Sequence, residues 1–166
     1  MKTNIIYLDE FKATDSGRYG KALERALTGR GFVRPAGRVD WTFHGKRVEI
    51  KQGAGELGEQ DGRLVKGVSL VLYVPVVEST MVNGREAVVL ENQEGFLLTR
   101  DEFLAALEEA GAIRYGKRPT SGVRKTTIQT FWNRKEGKPH GSLYQRMLDA
   151  LYEHCTETLE EFLENE

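Results

Sequence analysis

The chain has a single cysteine, Cys155, among its 166 residues. That excludes an intramolecular disulfide and suits a reducing, cytoplasmic setting. Its three histidines, His44, His140 and His154, are scattered, and no Cys/His spacing of a zinc site is present. No run of about 18 apolar residues is long enough to span a bilayer. The N-terminal stretch Met1-Lys2-Thr3-Asn4-Ile5-Ile6-Tyr7-Leu8-Asp9 lacks the apolar core of a signal peptide. The expected setting is therefore cytoplasmic, with no membrane partner. Net charge is nearly absent too: 24 Lys and Arg face 25 Asp and Glu, for a formal −1. The total singles out no partner, so the distribution has to. Internal repeats are lacking as well.

What is present is a chain that is 30% charged with a mean hydropathy of −0.48, long enough for one domain with a substantial core. The element pattern predicts an α/β fold with a mixed central sheet flanked by helices. Residues 1–111 are expected to form the core. Residues 112–166 are expected to supply a basic segment and a C-terminal helical extension packed on the same domain. A short strand is predicted near Ile5–Leu8. A helix capped by Asp15 or Ser16 follows and runs to about Thr28, with Tyr19, Leu23, Ala26 and Leu27 on its apolar stripe. Val68 to Val77 is the most apolar run and reads as a central strand, Pro75 hinting at an edge or bulge. Asn83-Gly84 is a hairpin turn signal. Thr99 and Glu102 form a capping box, and Gly111 stops that helix. A last helix starts near Ser142 and runs into an acidic end.

The stretch from Val39 to Lys51 organises the rest. Val39, Trp41 and Phe43, then Val48 and Ile50, alternate with polar residues, the period of strands buried on one face. His44-Gly45 is a plausible two-residue turn. That turn pairs Phe43 with Lys46, Thr42 with Arg47, Trp41 with Val48, and Asp40 with Glu49. Two carboxylates directly opposite across a ladder repel. A divalent cation between them would convert the repulsion into a binding site. Lys51 shares the face of Glu49.

Asp40, eight residues, then Glu49-Ile50-Lys51, all after a helix carrying Gly20-Lys21-Ala22-Leu23-Glu24, resembles the PD-(D/E)XK nuclease superfamily of restriction-endonuclease-like fold. The resolvase-type and repair-type members are the most similar. Val39 stands where the family name has Pro, and the likeness covers about residues 16 to 77. The resemblance implies that Asp40 and Glu49 hold Mg²⁺ or Mn²⁺, with the backbone carbonyl of Ile50 a further ligand. It implies that Lys51 positions the attacking water or stabilises developing phosphoryl charge. It makes Glu24 an auxiliary ligand and lets Gln52 touch the scissile phosphate. Metal-ion chemistry is independently suited to the task, because Mg²⁺ binds through one or two carboxylates and polarises phosphoryl oxygens.

The segment from Arg114 to Lys138 carries eight cations and one acid, Glu136, with Tyr115, Phe131 and Trp132 interleaved. Lys and Arg neutralise phosphates, and exposed rings stack on unpaired bases. Candidate nucleic-acid contacts are Arg118, Arg124, Lys125, Trp132, Arg134 and Lys135; Phe131 and Trp132 also fit a core. Gly53-Ala54-Gly55-Glu56-Leu57-Gly58 matches G-x-G-x-x-G but is set aside as a dinucleotide cradle. The strand before it carries Arg47, Glu49 and Lys51, and a central parallel strand should be nearly all apolar. This stretch is expected to be a mobile loop beside the site. The expected function is metal-dependent endonuclease action on DNA, including structured or branched DNA. A homodimer would be needed to cut both strands. The alternatives are a non-catalytic nucleic-acid-binding module on the same fold and a nucleotide-cofactor enzyme using the glycine loop.

Overall fold

The hairpin forms in the expected register. The structure is a computed structural model that describes residues 4–15, 17–34, 41–60, 63–65, 67–116, 126–133, 135–139 and 141–166. Within it Trp41 pairs with Val48, Thr42 with Arg47 and Phe43 with Lys46. The turn residues His44 and Gly45 both have positive φ, 49° and 79°, as a two-residue turn matched to strand twist requires. Asp40 lies outside the described residues.

In chain order the elements are β1 (Ile5–Tyr7), α1 (Arg18–Leu27), β2 (Phe32–Val33), β3 (Trp41–Phe43), β4 (Lys46–Gln52), β5 (Glu56–Leu57), β6 (Glu59–Gln60), β7 (Arg63–Leu64), β8 (Leu70–Val74), β9 (Thr80–Val82) and β10 (Arg85–Val89). There follow β11 (Phe96–Thr99), α2 (Arg100–Glu109), β12 (Ile113–Tyr115), β13 (Thr126–Ile128), β14 (Trp132–Asn133), β15 (Lys138–Pro139), α3 (Gly141–His154), β16 (Glu157–Thr158) and α4 (Leu159–Glu164).

The main sheet has six strands in the order β16-β11-β8-β4-β3-β2. It is mixed: β2, β3 and β4 form an antiparallel meander, β8 lies parallel to β4, and β11 returns antiparallel to β8. The expected central strand is thus central, but it ends at Val74 rather than Val77. Pro75 marks no edge: its carbonyl accepts the Gly53 N–H at 3.1 Å and extends the β4–β8 pairing.

Both faces of the sheet are covered. On one, Val48, Leu72, Val74 and Leu97 pack with Leu23, Leu27, Phe32 and Leu159, and Ile50 joins them. On the other, Val71, Tyr73, Phe96 and Leu98 pack with Phe103 and Leu107 of α2 and Met147 and Leu151 of α3. Ile128 and Phe131 belong to this second cluster, so Phe131 is core, stacked on Tyr144. The Thr99–Glu102 capping box forms with both reciprocal bonds. At α1 the expected cap is replaced by Gly17, whose N–H donates to Asp15 Oδ1 at 2.9 Å.

The acidic C-terminus is not one helix. The chain leaves α3 at His154 and adds β16 to the edge of the sheet, Thr158 opposite Phe96. It then enters α4 through a second capping box, Thr158 with Glu161. The terminal Glu166 reaches Arg30, whose guanidinium also bonds Asn4, while its Nε donates to the Ala26 carbonyl at 3.1 Å. The Arg30 side chain is only 2% exposed.

A buried guanidinium with three partners is destabilising to lose, because its acceptors stay behind without a donor. Arg30→Ala should lower unfolding free energy by about 3 kcal/mol. Arg30→Met, which keeps the aliphatic volume, should cost less. Urea midpoints check this; equal stability of Arg30→Ala and the parent would contradict it.

Candidate functional site

Side chains on β4 alternate between the two covered faces. Val48 and Ile50 face α1, so Glu49 and Lys51 face the side of α2 and α3. Their register partners on β8, Val71 and Tyr73, lie in that second cluster. Glu49 and Lys51 are half-buried, side by side on one strand as the sequence requires.

Lys51 has a partner already. Its Nζ donates to the Glu56 carbonyl at 3.2 Å, and the Tyr73 hydroxyl donates to the Gly53 carbonyl at 2.8 Å. Burial pushes the Tyr73 phenol far up from its usual range, so it stays a neutral donor. These two side chains fasten the glycine stretch from below. From the side, β5 pairs with β13, Thr126 opposite Leu57, and Ile128 N–H donates to the Gly55 carbonyl at 2.8 Å. The expected mobile loop is therefore a strand of a small sheet, with Leu57 buried. The signal in the sequence was Leu57 itself, the one large apolar residue in the glycine stretch.

Gln52 faces the other way, toward α1. It lies against Gly20: a Cβ there would stand 1.9 Å from Gln52 Nε2, so a larger residue would displace the Gln52 amide. Glu24, one turn further along α1, is 31% exposed and lies 4.0 Å from Arg34. Arg34 in turn sits over the Trp41 ring. Lys21, on the same helix as Glu24, pairs with Asp15. Among the described residues, no group of three acids or histidines that includes Glu24 or Glu49 has its ligand atoms close together.

One such group does exist, away from the hairpin. Glu109 at the end of α2 and Glu153 and His154 at the end of α3 hold ligand atoms within 4.8 Å of one another. His154 Nε2 is 3.0 Å from Glu109 Oε2. Two carboxylates and an imidazole are a donor set for a borderline cation such as Zn²⁺. Both glutamates are exposed and His154 is half-buried. Sequence reasoning missed the cluster because its members are 45 residues apart and meet only through helix packing.

Of the basic segment, Arg118, Arg124, Lys125 and Arg134 lie outside the described residues. Lys135 is exposed in the turn between β14 and β15, and the Trp132 ring is 43% exposed. Trp132 lines a groove that also takes in Tyr19, Gln52, Val76 and Val77. Cys155 is half-buried and its thiol is pushed up by burial and by Glu161 and Glu102, opposite to what a nucleophile requires. No helix among the described residues is long and apolar enough to cross a membrane. No match was found among protein-family models, curated proteins or solved structures.

Burial raises the Glu24 carboxyl above its ordinary value, with Arg34 and Lys21 offsetting only part of the effect. A raised folded-state value means that folding favours the protonated acid. That contribution is complete below the unfolded-state value of about 4.3 and is lost as pH rises through the raised one. Glu24→Gln should therefore gain stability relative to the parent as pH rises from about 3 to 7. Parallel urea titrations across that range measure the difference; a shift in favour of the parent would mean that the Arg34 pair dominates.

Proposed function

We propose that this chain is a metal-dependent endonuclease that hydrolyses phosphodiester bonds in DNA, in the manner of the PD-(D/E)XK nucleases it resembles. The observation that carries the reading is the arrangement of β4. A helix leads into a three-strand meander, the hairpin pairs Trp41 with Val48, and a parallel strand follows. This order supports a restriction-endonuclease-like core. It sets Glu49 and Lys51 on one face at the side of β8.

The donor set fits a hard cation. Asp40 and Glu49 would hold Mg²⁺ or Mn²⁺ through carboxylate oxygens and Ile50 through its backbone carbonyl, oxygen donors of the kind such ions take. Bound there, the ion would supply charge stabilisation at the phosphoryl oxygen and a more acidic water. In this reading Lys51 exchanges its bond to the Glu56 carbonyl for the attacking water or a phosphate oxygen. Such an ammonium is held ready near the scissile group at little rearrangement. Glu24, on α1 beside Arg34, lies across the sheet from Glu49 and Lys51 and has no direct part in this reading, while Gln52 belongs to the substrate groove beyond the end of β4.

A second reading keeps the DNA and drops the chemistry. It is favoured by the structural use of Lys51 as the fastener of the glycine stretch. Nicking of supercoiled plasmid separates the two. The nuclease reading expects nicking with Mg²⁺ or Mn²⁺ that stops with EDTA and falls about a hundredfold or more in Glu49→Gln and Lys51→Ala. Undiminished nicking in Glu49→Gln overturns it. DNA retained without any nicking by the parent protein selects the binding module.

A further inference from the structure

The carboxyl ends of the parallel strands β4 and β8 open onto the groove that Gln52 shares with Tyr19 and Trp132. In open α/β sheets the crevice beyond those ends is where ligands bind. One section, about 300 Å³, is lined by Tyr19, Gln52, Pro75, Val76, Phe131 and Trp132 among others. An adjoining section of about 690 Å³ shares Tyr19, Val76, Val77 and Trp132 and extends to Lys138 and Pro139. Both fall within the range of about 300–1,000 Å³ typical of small-ligand sites.

The walls have the chemistry of a base-stacking site. Trp132 presents a large, 43% exposed ring on a two-strand hairpin, fixed by its pairing opposite Pro139. Tyr19 forms the other aromatic wall, anchored by its hydroxyl to Glu86 Oε1 at 2.8 Å. The floor is Pro75, Val76 and Val77. Gln52 brings an exposed amide, which Gly20 makes room for. An amide carries both a donor and an acceptor, as a base edge does. Cations stand at the margin: Arg18, 5.4 Å from the Tyr19 ring centroid, and exposed Lys138, which pairs with Glu136 at 3.5 Å. The acid Glu78 sits in the outer section and disfavours a phosphate there. The segment that carries Trp132 has eight cations against one acid, a charge balance that complements a polyanion.

We propose that this groove takes an unpaired nucleobase of a DNA strand, stacked against Trp132 with Tyr19 and Gln52 alongside. The inference rests on the reading of the chain as a DNA-binding protein. It deepens that reading: the preferred substrate has single-stranded or unstacked character, such as a flap, a gap or a branch point. A stacked duplex offers its base edges but not its base faces.

Fluorescence anisotropy with EDTA present, so that nothing is cut, tests this on the full chain. The probes are a labelled oligothymidylate of about twelve nucleotides, a duplex of the same length, and thymidine monophosphate as competitor. Binding should favour the single strand by about tenfold or more. Trp132→Ala should weaken single-strand binding by about tenfold, in line with the loss of one stacked base, and leave duplex binding nearly unchanged. Trp132→Phe, which keeps a ring, should retain most of the affinity. Equal binding of duplex and single strand with no effect of Trp132→Ala overturns the inference but leaves the DNA-binding reading standing. An equal loss in Trp132→Phe and Trp132→Ala also overturns it. Competition by the monophosphate as effective as by the oligomer overturns it in favour of a free nucleotide. Failure to bind any DNA overturns the DNA-binding reading and takes the inference with it.

Discussion

Everything in this molecule depends on β4 being covered on both faces while carrying polar side chains on one of them. Val48 and Ile50 are committed to the α1 side, and the period of two leaves Glu49 and Lys51 on the other. A slip of one residue would drive both ions into the core beside Leu23 and Phe32, so the register is strongly held. The tight His44-Gly45 turn fixes it on one side and five parallel register pairs with β8 fix it on the other. The same constraint turns Gln52 toward α1, where its amide occupies the space beside Gly20. It also brings Lys51 and Tyr73 beneath the glycine stretch.

Three chemistries follow from that one strand. Glu49 and Lys51 make a half-buried, one-sided polar pair, the pair on which the proposed phosphoryl chemistry rests. The fastened stretch from Gly53 to Leu57 is a bridge between the main sheet and the small β12-β13-β5 sheet, so it couples the basic segment to the end of β4. Beyond that end, Gln52 enters a groove walled by Tyr19 and Trp132. The surface cluster of Glu109, Glu153 and His154 is separate from all three. It belongs to the meeting of α2 and α3 and has mixed oxygen and nitrogen donors, better suited to a softer cation than Mg²⁺.

Much of this was legible in the sequence because local signals decided it. Period-two alternation and a turn needing positive φ gave the hairpin and its register; Asn83-Gly84 gave β9–β10, with Val82 opposite Arg85; Thr99 and Glu102 gave the start of α2. What was not legible required contacts distant in sequence. Glu157-Thr158 is too short to read as a strand and exists because β11 offers an edge. Leu57 looked like a loop residue until β13 paired over it. Only the resemblance joins Glu24 to the hairpin acids; on α1 it lies 4.0 Å from Arg34. Phe131 and Trp132 are adjacent with opposite fates, one core and one exposed, because successive residues of an extended chain face opposite ways.

The most direct measurement is paramagnetic broadening of backbone amide resonances by Mn²⁺ at substoichiometric amounts. A catalytic centre on the hairpin predicts broadening centred on Glu49, Ile50 and Lys51 and spreading to Trp41 and Val71, with Glu49→Gln abolishing it. Broadening confined to Glu109, Glu153 and His154, with the β4 resonances sharp, would contradict it and move the metal chemistry to the surface between α2 and α3.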